Sequence, residues 1–136
     1  MVEKSLVFIK PDGVRKQLIG QVIGRFEQRG IKVKGLRMLT LTSEMADAHY
    51  QEHVERPFYP SLKEYVTSGE IVAMVLEAEN VIAAIRKMVG ATDSAAAEPG
   101  TIRGDFALTK QENIIHASDS PESSEREVKL FFPELS

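Results

Sequence analysis

Asn113-Ile114-Ile115-His116-Ala117-Ser118-Asp119-Ser120 sets one imidazole between a short apolar strand and the start of a helix. The residues that follow mark the helix start. Ser120 suits the N-cap and Pro121 the first helical position, where its missing N–H costs nothing, while Glu122 and Glu125 complement the positive end of the dipole. A strand end that meets a helix start is a natural anion site, because unpaired backbone N–H groups point out of it. His116 is therefore the candidate centre of chemistry, against the plainer reading of a histidine that is merely packed or exposed. The final helix also carries Glu127 one to two turns from its start, within reach of that imidazole.

Working outward, the apolar run at residues 5–9 reads as a strand ending at Lys10, followed by the turn signature Pro11-Asp12-Gly13. An ammonium at a strand end is either solvated or placed on a phosphate as a point charge. Ile19, Val22, Ile23 and Phe26 recur at helical spacing, with Gly30 placed to stop the helix. Residues 31–41 alternate as a strand and change phase around Gly35, which predicts a bulge. Ser43 is expected to cap a helix through about Glu52. Residues 71–76 are continuously apolar, as a central strand would be. Asn80 is expected to cap the next helix, with Arg86 and Lys87 near its carboxyl end and Gly90 closing it; Thr92 follows. Arg103 falls in a stretch bounded by glycines and threonine, read as a loop able to present a guanidinium to phosphate; the alternative is a pair with Asp105 across a turn.

Composition narrows the classes of function. The chain has 136 residues, enough for one core and one domain over 1–136, and a formal net charge of −3. That charge gives no general attraction to nucleic acid, so any polyanion must meet a local cluster of Lys and Arg, which suits small phosphates better than a duplex. The absence of cysteine removes disulfides, thiolate metal clusters and a cysteine nucleophile, and accords with a cytoplasmic location. No stretch approaches membrane-spanning length, so no membrane partner is expected. Neither common glycine-rich phosphate cradle is present, so a phosphotransferase built on this chain must hold phosphate by other means.

The alternation of strands and helices leaves open a doubly wound parallel sheet or a split βαβ arrangement. The chain resembles the nucleoside diphosphate kinase family through Lys10-Pro11-Asp12-Gly13, Gly90-Ala91-Thr92, residues 99–106 and the block beginning at His116, in order along nearly the whole sequence. The resemblance implies a ferredoxin-like βαββαβ core, α+β in class, with an antiparallel four-stranded sheet and a helical insert at residues 42–68. It also implies transfer of the terminal phosphoryl group of a nucleoside triphosphate to a nucleoside diphosphate through a phosphohistidine on His116, with magnesium arriving on the nucleotide. Carried over by position, Lys10, Arg86, Thr92 and Arg103 contact phosphates, Asn113 and Lys10 reach the sugar hydroxyls, Phe58 stacks the base, and Ser118 and Glu127 orient the ring. A homo-oligomer is implied, a hexamer before a tetramer. The chain departs from many relatives at Ala117, where glycine is common, at Gln111-Glu112, and at Lys110, where an apolar residue often faces the base.

Two rival readings are carried forward. His49, Glu52 and His53 match a His-x-x-Glu-His zinc pattern and would make a small zinc-binding hydrolase if two histidines shared a helix face. A non-catalytic nucleotide- or RNA-binding module would use the same sheet without a nucleophile, though an acidic chain lacks the basic stripe such a module usually needs.

Overall fold

Four strands form one sheet in the computed structural model, which describes residues 1–136. They are β1 (Val2–Ile9), β2 (Lys32–Thr40), β3 (Glu70–Glu79) and β4 (Ile115–Ala117), ordered β2-β3-β1-β4 with each neighbouring pair antiparallel. Helices α1 (Pro11–Arg15) and α2 (Ile19–Gln28) join β1 to β2, and α3 (Ser43–His49) and α4 (Tyr59–Val66) are inserted before β3. Helices α5 (Val81–Val89) and α6 (Ile102–Phe106) lead to β4, and α7 (Pro121–Phe131) follows it. This is the ferredoxin-like arrangement with a helical insert, and it decides between the two topologies in favour of the antiparallel sheet.

Both sheet faces are covered, which explains the unbroken apolar runs of the central strands. Val7 and Ile9 of β1 and Val72, Met74 and Leu76 of β3 share one core with Val22 and Phe26 of α2 and Ile82, Ile85 and Val89 of α5. Leu6 and Phe8, with Ile71, Ala73 and Val75, point the other way into a second core with Ala46 of α3, Val66 of α4 and Val128 and Phe131 of α7. Successive strand residues alternate between faces. In β4, Ile115 and Ala117 belong to the first core, so His116 between them faces the insert and α7.

Several local features follow the sequence. The register of β2 against β3 shifts between Val33 and Gly35, the expected bulge. Ser120 caps α7 by accepting from the Ser123 amide, with Pro121 opening the helix. Gly30, at φ 85°, follows the end of α2 in the left-handed region that glycine adopts without strain.

Others differ. Pro11-Asp12-Gly13 begins a short helix rather than a simple turn. Thr42, not Ser43, caps α3, and that helix ends at His49 instead of Glu52. Asn80 precedes α5 in the left-handed region at φ 49° and its side chain makes no capping bond; the Ile82 amide is met instead by Glu3 Oε1 at 3.2 Å. Arg103 lies inside α6, capped by Thr101, and not in a loop.

Candidate active site

A cleft of about 630 Å³ opens on the face of β4 toward the insert and α7, and His116 lies in its wall. The ring is held from several sides. Phe8, its cross-strand partner on β1, stacks on it with centroids 4.9 Å apart, and the His49 ring meets it edge-on at 4.5 Å. Nε2 of His116 lies 2.8 Å from Oε1 of Glu127, the same oxygen that stands 2.8 Å from the Ser118 hydroxyl. A carboxylate beside Nε2 favours the tautomer with its proton there, leaving the lone pair on Nδ1, which has no hydrogen-bond partner within the chain.

Cations converge near this ring. Lys10, one residue beyond β1, donates from Nζ to Asn113 Oδ1 at 2.8 Å, and Asn113 passes a bond on from Nδ2 to the Thr92 carbonyl at 3.0 Å. Burial, then the Arg103 charge, push the Lys10 ammonium down to about 8. Arg103 donates to the carbonyls of Gly90 at 3.1 Å and Ile115 at 2.7 Å, with Nε 3.4 Å from that of Asn113. Burial and Arg86 lower its pKa to about 10, so it stays charged at neutral pH. A Cβ on Gly104 would fall 1.9 Å from the Glu98 carbonyl oxygen, so only glycine lets α6 pack this closely behind Arg103. Arg86 reaches the Ala117 carbonyl at 3.3 Å. The alternative reading, an Arg103–Asp105 pair, does not form, since Asp105 is bound to Arg25 at 2.6 Å.

The segment joining this cluster to the imidazole is strained. Ile114 sits at φ 75°, a left-handed conformation that costs a β-branched residue about 1–3 kcal/mol. Both its peptide groups are pinned, the amide by Asp12 Oδ2 at 3.1 Å and the carbonyl by the Lys10 amide at 2.7 Å. Asp12 is fixed in turn by the Tyr65 hydroxyl.

Phe58 stands at the far end of the cleft, 51% exposed at the start of α4, with the His53 ring 5.6 Å away. All nine residues proposed from the sequence therefore find a place: His116, Lys10, Arg86, Thr92, Arg103, Asn113 and Phe58 line the cleft with Glu127, and Ser118 supports Glu127 from behind. The sequence reading missed three contributors. Tyr50 brings a buried hydroxyl without a partner to the wall, Asp12 locks Ile114, and Arg126 ties α7 to the end of α3 through the carbonyls of Ala48 and His49. Asp12 stood in the Lys10-Pro11-Asp12-Gly13 motif with no role read for it, and Tyr50 and Arg126 showed only a polar group within a helical stretch.

The zinc pattern does not assemble. Its histidines share no helix face, because α3 stops at His49, and His53 turns to Phe58. Metal-binding atoms that do converge belong to His49, His116 and Glu127, within 4.8 Å, and include neither Glu52 nor His53. Burial first, then the proximity of the His116 ring and the Arg126 guanidinium, hold His49 well below the usual histidine pKa and hence neutral.

The family model described as nucleoside diphosphate kinase matches residues 3–136. The chain is 55% identical to the nucleoside diphosphate kinase of Thermobifida fusca, covering 98% of this chain and 99% of that one. Against that of Methanothermobacter thermautotrophicus the identity is 56%, over 98% and 89%. Among solved structures it superposes on the Aquifex aeolicus nucleoside diphosphate kinase with a TM-score of 0.95 at 42% identity, over 99% and 98% of the chains. A halophilic nucleoside diphosphate kinase from Halobacterium salinarum, solved in complex with CDP, gives 0.94 at 41%, over 97% and 88%.

Proposed function

Because the chain belongs to the nucleoside diphosphate kinase family and is a phosphotransferase acting on nucleotides, we propose that His116 carries the phosphoryl group between donor and acceptor. The observation that supports this most is the Glu127 bond to Nε2, which leaves Nδ1 with a free lone pair beside Lys10, Arg86 and Arg103. In the first half-reaction Nδ1 attacks the γ-phosphorus of a nucleoside triphosphate, the bond to the bridging oxygen breaks, and the diphosphate leaves. In the second, a terminal oxygen of another nucleoside diphosphate attacks the same phosphorus and the N–P bond breaks. Positive charge that grows on the imidazole is met by Glu127, and negative charge spread over the phosphoryl oxygens by the three cations.

The remaining roles follow from position. Thr92, Lys10, Arg86 and Arg103 take phosphates, Lys10 and Asn113 the sugar hydroxyls, and Phe58 the base, in agreement with the nucleotide that the halophilic relative binds. A phosphate-binding wall made mainly of cations has few carboxylates to spare for a metal of its own, and this fits magnesium carried in on the nucleotide; Asp119, its carboxyl lowered by the Ser123 hydroxyl and further by Arg86, would hold its water shell. Bound there, magnesium supplies charge neutralisation on the phosphates.

We further read residues 1–136 as one such domain, placed in the cytoplasm among its nucleotide substrates; no helix is long and apolar enough to cross a membrane. Leu36 and Met38 are exposed on the edge strand β2, which accords with a homo-oligomer, hexamer before tetramer, to be weighed by light scattering. The deciding experiment is incubation with magnesium and γ-labelled ATP. Acid-labile, base-stable label on the wild type, released into triphosphate by any added nucleoside diphosphate, is expected; equal labelling of His116→Ala would refute the assignment.

A further inference from the structure

The cleft has five cations in its wall, and four are already engaged. Lys10 is bonded to Asn113, Arg103 to backbone carbonyls, Arg86 to the Ala117 carbonyl, and Arg126 to the carbonyls of Ala48 and His49. The fifth, Lys110, is exposed and forms neither an ion pair nor a hydrogen bond within the chain. Its three N–H donors are uncommitted.

Its place in the chain puts it at the Phe58 end. The loop that carries it is fastened to α4 by Gln111 Nε2, 3.4 Å from the Ser61 hydroxyl, and is turned by the Glu112 amide donating to Thr109 Oγ1 at 3.1 Å. Phe58 is the residue from which α4 starts. The phosphate end, by contrast, is built on α5, α6 and the β1 terminus. Lys110 thus rides on the loop fastened to α4, the helix that Phe58 starts, whereas Arg86 and Arg103 sit on α5 and α6.

Resting on the reading above, we infer that Lys110 reads the edge of the nucleotide base and biases the enzyme toward bases with a carbonyl oxygen at the O6 or O4 position, namely guanine, uracil and thymine, over adenine and cytosine, which carry an amino group there. An ammonium donates and cannot accept. Guanine O6 and the O4 of thymine or uracil accept from it, whereas adenine N6 and cytosine N4 present N–H groups at the corresponding edge positions and repel it. The four-carbon stem can meanwhile cover base surface as an apolar group would. Stacking on Phe58 is indifferent to this distinction, because every base has a π-face. Acceptance therefore stays broad, and Lys110 adds a graded preference of about three- to tenfold, the scale of one hydrogen bond made at a solvent-exposed edge.

The test compares bases of equal size, so that stacking cancels: GDP against ADP, and UDP against CDP. kcat/KM with ATP as donor, and equilibrium Kd by calorimetry without any donor, are measured for wild type, Lys110→Met and Lys110→Arg. The wild type should favour GDP over ADP and UDP over CDP by about three- to tenfold, Lys110→Arg should keep both ratios, and Lys110→Met should bring both close to one. Unchanged ratios in Lys110→Met, or a wild-type preference for the amino bases, would overturn the inference while leaving phosphoryl transfer intact. Failure of the wild type to form phosphohistidine would overturn the reaction instead, and the Kd ratios would still decide the role of Lys110.

Discussion

Glu127 Oε1 bridges His116 Nε2 and the Ser118 hydroxyl, 2.8 Å from each. One oxygen thereby fixes the tautomer of the ring and is itself fixed by a buried serine. Replacing Glu127 with Gln should slow phosphoenzyme formation about 10- to 100-fold or more, by analogy with the loss when a carboxylate that orients a metal-bound or catalytic histidine is removed, with nucleotide Kd little changed. Rapid-quench labelling separates the two quantities. Ser118→Ala should fall in the same direction by less, since Glu127 keeps its bond to the ring.

Lys10 predicts the alkaline limb of activity. With its pKa near 8 in the folded protein against 10.5 ordinarily, the free enzyme loses this charge as pH rises through 8. kcat/KM should fall over pH 7.5–9.5 with an apparent pKa of about 8. The stability contribution runs the other way: between about 8 and 10.5 the unfolded chain binds the extra proton, so relief of the buried charge makes this group's contribution more favourable as pH rises. Lys10→Ala should lower turnover by about two orders of magnitude and abolish that limb. A limb that persists in the variant would assign it elsewhere.

Arg103 and Arg86 should separate by stability. Arg103 donates to three backbone carbonyls on two segments, Gly90 after α5 and Asn113 and Ile115 at β4, so Arg103→Ala ought to destabilise the fold by about 2 kcal/mol or more besides reducing turnover. Arg86 makes a single 3.3 Å bond to a carbonyl, and its Ala variant should lose activity with a much smaller change in urea midpoint. Equal midpoints for the two variants would remove the structural role given to Arg103.

Phe58→Ala should weaken nucleotide binding by roughly 1–3 kcal/mol and do so alike for all bases. Calorimetry with ADP, GDP, CDP and UDP checks this, and selective loss of one base would contradict a platform that only stacks.

The sheet was legible because its signals are short-range. The apolar run of β1, the alternation of β2 with its phase change at Gly35, and the Ser120-Pro121 start of α7 each depend on residues within a few positions. Arg103 shows where that ends. Its letters were read as a phosphate-presenting loop or a pair with Asp105, but Asp105 is captured by Arg25 of α2, and Thr101 caps a helix around the arginine. Both outcomes are set by packing between distant segments. Family resemblance assigned roles to nine site positions, four of them already picked out by their own setting; it gave none to Asp12 and Tyr50, whose importance comes from a strained backbone and a buried hydroxyl that no local pattern announces.

The reactive ring hangs on the shortest strand of the sheet. β4 has 3 residues against 8 in its sole partner β1, which is itself paired along its other edge with the 10-residue β3. Local opening of β4 needs the pairs Val7–Ala117, Phe8–His116 and Ile9–Ile115 to part, with the bonds from Arg103, Arg86 and Glu127 to this strand, still far less than global unfolding requires. Amide hydrogen exchange in β4 should therefore be faster than in the paired stretches of β1 and β3. A nucleotide spanning Asn113 and His116 should slow it selectively, so that substrate fastens the very segment on which the transfer depends.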